Sequence, residues 1–113
     1  MTNRTPKLYL KDIVDSIDSI MAYTKGISFE KFAKDKMKID AVVRNFEIIG
    51  EATKHIPIKI RNAHTDIPWK EMAGMRDKII HEYFGVDLEI VWKTIKSRLP
   101  KLKKTLLAIV NSL

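Results

Sequence analysis

A chain of 113 residues has room for one domain with a single core, residues 1–113, and not for two ordinary ones. It holds no cysteine, which excludes a disulfide framework, a thiolate zinc site and a cysteine nucleophile. With 45% hydrophobic and 31% charged residues and only four glycines and four prolines, the composition favours a helical globular protein over a disordered one, and the net charge of +7 points to a polyanionic partner.

The first seven residues lack an apolar leader core, and no apolar run reaches membrane-spanning length, so the expectation is a cytoplasmic protein with no membrane partner. Leu10, Ile13, Ile17, Ile20, Met21 and Thr24 recur at three- and four-residue steps and predict an amphipathic helix over residues 8–24. Gly26 suits its C-cap, and Ser28 can cap a short helix through Phe29, Phe32 and Ala33. A second long helix is expected over residues 36–54, with Ile39, Val42, Val43, Phe46, Ile49 and Ala52 inward and Gly50 permitting close helix approach. Arg44, Glu47 and Glu51 fall on adjoining turns of it and read as surface pairs at helical spacing.

Residues 55–68 carry two of the four prolines and read as a connection with one helical turn. His55 and His64 lack a paired metal-ligand spacing, so structural or solvated roles are expected and no metal or other cofactor is implied. Asp66 is expected to cap the next helix with Pro68 in its first turn, and Gly74 to mark a kink or junction.

The segment that follows carries the chemistry. Arg76, Asp77, His81 and Tyr83 crowd onto three helical turns ending at Gly85. Histidine moves protons near neutral pH, and arginine forks two donors onto phosphate oxygens, which together suit phosphodiester chemistry without a metal. Asp77 lies one turn before His81 and could fix its tautomer, whereas Arg76 and His81 are separated by roughly 140° of helical arc, with Ile80 and Phe84 between them. One isolated helix therefore cannot easily close both groups on one phosphate, but a second copy packed across a two-fold axis on the Ile80/Phe84 face would, which makes a homodimer the expectation. The plainer alternatives are a solvated Arg–Asp pair and a tyrosine with a satisfied hydroxyl.

Asp87 can cap the last helix, with Glu89 in its first turn, and Leu88, Val91, Trp92, Ile95, Leu99, Leu102, Leu106, Ile109 and Leu113 form its stripe. Pro100 should kink or split it near Leu99. No acid follows Glu89, while Lys93, Lys96, Arg98, Lys101, Lys103 and Lys104 lie off the stripe, as either a solvated face or a surface tracking an RNA backbone.

Residues 76–83 read Arg-x-x-x-x-His-x-Tyr. With Ile67-Pro68-Trp69 and Gly74-Met75 before them, Phe84 after them, and the run from Arg44 to Ala52 upstream, the chain resembles the HepT-like toxins of the HEPN superfamily. The resemblance implies an all-α, up-and-down four-helix bundle with short accessory helices, and a homodimeric, metal-independent endoribonuclease toxin paired with a nucleotidyltransferase antitoxin. It implies Arg76 and His81 as catalytic residues, Asp77 as their assistant and Tyr83 as an acceptor of AMP groups. Lys93, Lys96, Arg98, Lys101 and Arg44 are the expected RNA-binding residues, and the resemblance also suggests that Arg44 and Glu47 line a groove beside the motif helix. The rival is a non-catalytic helical adaptor that dimerises and binds a nucleotidyltransferase or nucleic acid.

Overall fold

The computed structural model describes residues 4–75, 77 and 87–113. Helix α1 (Pro6–Thr24) starts where Thr5 Oγ1 accepts from the Leu8 N–H and Pro6, whose missing N–H costs nothing in a first turn, fixes the backbone for a helix. Its stripe of Leu10, Ile13, Ile17 and Ile20 is fully buried. The chain turns away at Gly26, whose φ of +73° lies in the left-handed region, where a side chain would be strained. Ser28 then caps α2 (Phe29–Lys34) through the Lys31 N–H, and Asp35 caps α3 (Lys36–Lys54) through the Lys38 N–H.

Helix α3 packs along α1 in the antiparallel sense. Lys38, near the start of α3, donates to the Tyr23 carbonyl near the end of α1, while Tyr9 and His55 meet at the opposite ends. Val42, Phe46 and Ile49 supply the inward face, with Gly50 and Ala52 also buried, and Ile39 and Val43 are half-buried. Buried Thr24 and Thr53 send their hydroxyls back to the Ile20 and Ile49 carbonyls, so neither leaves an unmet donor in the core. Asp35→Ala removes the cap of α3 and should cost about 1 kcal/mol, read as a lower urea midpoint with an unchanged slope.

The connection after α3 holds one short helix, α4 (Ile58–Ala63), tied back to the end of α3 by Arg61, which donates to the Ile56 and Thr53 carbonyls at 3.0 and 2.8 Å. Helix α5 (Trp69–Ala73) does not begin as expected. Pro68, not Asp66, occupies the N-cap, and no side chain caps the helix. Ile67 and Trp69 are both buried, the Trp69 N–H bonds the Ile67 carbonyl at 2.8 Å, and Trp69 Nε1 donates to the His64 carbonyl. Burying that pair tightens the chain around Pro68 and starts the helix after it, which leaves Asp66 exposed. Gly74 ends α5, as a junction.

Asp87 Oδ1 accepts from the Glu89 N–H and opens α6 (Leu88–Lys93). A π-helical turn follows over Thr94–Arg98, and then α7 (Leu99–Ser112), with Pro100 in its first turn. Pro100 has no N–H for the carbonyl one α-turn back, and the break expected there takes the form of a wider turn, in which the Leu99 N–H reaches the Thr94 carbonyl. Helix α7 lies against α1 through Leu99, Leu106, Ile109 and Val110. The chain is all-α, with no strand among the described residues. Of the expected helix over the motif, only Met75 and Asp77 are described, and both are helical.

Candidate active site and RNA-facing surfaces

Arg76, His81 and Tyr83 lie outside the described residues, as do Ile80 and Phe84 of the expected dimer face. Asp77 is helical and exposed. The chain enters the motif from a firm support: Trp69 and Met72 of α5 are buried, α5 packs on α3, and Met75 packs against the core.

A groove of about 470 Å³ opens between the first turns of α1 and the second half of α3. Tyr9 and Asp12, three apart on α1, face Arg44, Ile48, Glu51 and His55, which recur at helical steps on α3, because the two helices run antiparallel. The Tyr9 and His55 rings stack with centroids 4.6 Å apart and planes within 9°. Arg4 pairs with Asp12, and its guanidinium carbon lies 5.1 Å from the Tyr9 centroid. Arg44 approaches Glu47 at 3.6 Å, and His55 Nε2 approaches Glu51 at 3.8 Å. Arg44 and Glu47 thus form a surface pair and line a groove at once. Tyr9, Asp12 and Arg4 were not legible as its other wall, since nothing in the sequence aligns residues some forty positions apart.

The C-terminal cations divide in two. Lys96 donates to the Thr24 carbonyl at 3.2 Å with its ammonium 4.6 Å from the Trp92 centroid, and Lys103 pairs with Asp18 at 2.6 Å. Both therefore help hold the last helices to α1. Lys93, Arg98, Lys101 and Lys104 are exposed. Among the described residues no three His, Asp or Glu side chains gather as metal ligands, and no helix is long and apolar enough to cross a membrane.

A family model described as ribonuclease HepT-like matches residues 13–109. The chain is 49% identical over 108 residues to a protein of Caldanaerobacter subterraneus subsp. tengcongensis provisionally named an RNase, an alignment that covers 96% of each chain. It is 52% identical over 100 residues to a Thermococcus cleftensis protein provisionally named a ribonuclease HepT, covering 88% of this chain and 91% of that one. To a Methanocaldococcus jannaschii protein provisionally named an RNase it is 46% identical over 113 residues, covering 100% of this chain and 93% of the relative. No solved structure matches the chain.

Proposed function

Given that the chain belongs to the HepT-like ribonuclease family, we propose that it is a metal-independent endoribonuclease whose Arg76 and His81 act on the RNA backbone. The observation that carries this reading is the family match across residues 13–109, which takes in the whole Arg-x-x-x-x-His-x-Tyr segment.

His81 takes the proton of a 2′-hydroxyl as that oxygen attacks the neighbouring phosphorus, and the P–O5′ bond breaks as the leaving oxygen gains a proton, from the same ring or from its copy in a second subunit. Arg76 holds the phosphoryl oxygens as negative charge builds on them. Asp77 accepts from the other ring nitrogen and fixes the tautomer. The exposed Lys93, Arg98 and Lys101 steady the strand by pairing with phosphates.

The finer parts of the reading are a cytoplasmic homodimer that acts as a toxin, restrained by a nucleotidyltransferase antitoxin that adds AMP to Tyr83. They are supported by the motif tyrosine and by the five-residue spacing of Arg76 and His81, which on an ideal helix would set them roughly 140° apart.

The test is incubation of the purified protein with total RNA in the presence of excess chelator. Discrete fragments are expected, in a yield that chelator does not change. Intact RNA at high protein concentration, or cleavage abolished by chelator, overturns the proposal.

A further inference from the structure

The groove between α1 and α3 has a lining that backbone cleavage does not call for. A surface that only tracks the sugar–phosphate chain is lined by cations and neutral donors, since carboxylates repel phosphate. Here Arg4 and Arg44 alternate with Asp12, Glu47 and Glu51 around about 470 Å³, a volume that suits a single nucleotide. The Tyr9–His55 stack forms the aromatic part of the wall, and the His55 side chain is 51% exposed, which leaves ring surface for a further flat group.

A carboxylate beside a stacking ring selects among the bases by hydrogen-bond sense. An ionised carboxylate only accepts, through two oxygens side by side. Guanine presents two adjacent donors, N1–H and N2–H, to such a fork. Adenine and cytosine present a donor next to an acceptor, and uracil a single donor flanked by acceptors, so each sets a lone pair against the carboxylate.

Of the three acids, Asp12 is paired with Arg4, and Glu51 is engaged by another group besides its 3.8 Å approach to His55. Glu47 meets Arg44 only at 3.6 Å, longer than a hydrogen bond, and keeps 27% of its side chain exposed. Arg44 is 71% exposed, so its guanidinium can swing to a phosphate without leaving the groove.

Resting on the ribonuclease reading above, we infer that this groove is a guanine-selective subsite for RNA, in which the base stacks on His55, donates N1–H and N2–H to Glu47, and has a flanking phosphate on Arg44. The groove then supplies a base preference that Arg76 and His81, which address only the backbone, cannot.

The test is titration calorimetry of the full chain with 5′-GMP, 5′-IMP, 5′-AMP and 5′-CMP, and with RNA tetranucleotides that carry one guanine or none. GMP should bind about tenfold more tightly than IMP, which lacks only the N2 amino group, and the guanine tetranucleotide more tightly still. Glu47→Gln should remove the preference for GMP over IMP with an unchanged melting temperature, and His55→Ala should weaken every nucleotide alike while keeping the helical circular dichroism spectrum. Equal binding of GMP, IMP and AMP, or a preference that survives Glu47→Gln, overturns the inference. Free GMP binding more tightly than the guanine tetranucleotide overturns its assignment to RNA. The two proposals fail separately. RNA cleavage by a protein without guanine preference sinks the subsite alone, and guanine selectivity in a protein that leaves RNA intact supports the subsite while sinking the nuclease reading.

Discussion

On the proposed mechanism, alanine at His81 should lower RNA cleavage by about 10²- to 10⁴-fold, the usual worth of a positioned proton donor or acceptor, and alanine at Arg76 should lower it by about 10²- to 10³-fold, the worth of a donor aimed at developing charge. Each loss is measured as initial rate on a defined RNA, with the circular dichroism spectrum and melting temperature unchanged. The more telling measurement mixes the two inactive proteins. Helical spacing alone would set Arg76 and His81 roughly 140° apart, so on the proposed mechanism an active groove drawn from two subunits takes its arginine from one and its histidine from the other. Heterodimers of Arg76→Ala and His81→Ala then contain one intact pair, and random exchange should restore about a quarter of wild-type activity. No recovery after confirmed subunit exchange means that each chain uses its own pair, and the two-fold arrangement is then wrong.

What the sequence made legible were the features whose physics is local. Ser28 and Asp87 cap where capping rules place them, Gly26 takes the positive φ that ends a helix, and Pro100 interrupts the last helix because an absent N–H cannot be supplied from elsewhere. Family membership was legible through the spacing of Arg76, His81 and Tyr83 and its flanks, and the match over residues 13–109 bears it out. Asp66 failed as a cap because a non-local demand, the burial of Ile67 and Trp69, outweighed a local preference worth about 1 kcal/mol.

Charge was the feature least open to reading. A count of six cations after Glu89 says nothing of where their partners are, and two of the six turn to α1: Lys103 to Asp18, and Lys96 to the Thr24 carbonyl and the Trp92 ring. The groove, in its α1 wall, escaped for the same reason. Its aromatic pair joins residues 9 and 55, and its walls become one surface only after α1 and α3 have packed. A base-reading site placed there would sit on two long helices packed against each other, which suits selectivity better than a loop would.

Phe32→Ala should be the most damaging single change to the fold. Helix α2 has six residues, too few to persist in water alone, so its place depends on what it buries. Phe32 is fully buried, 5.3 Å from the Trp92 ring at a 34° tilt, and Phe29 stands 6.0 Å from the same indole. These rings join the α1–α2–α3 half to α6, and so to the π-helical turn and the basic helix behind it. Deleting the Phe32 ring removes its transfer free energy and opens a cavity that the neighbouring helices cannot close, a loss of about 3–5 kcal/mol. Small domains are stable by only about 5–15 kcal/mol, so the melting temperature should fall by on the order of 20 °C. Near-ultraviolet dichroism from Trp92 should weaken before unfolding begins, as the indole loses its fixed neighbour. A loss under about 1 kcal/mol would mean that the ring is not packed as described, because no repacking of a six-residue helix can recover the contacts of a fully buried phenyl ring.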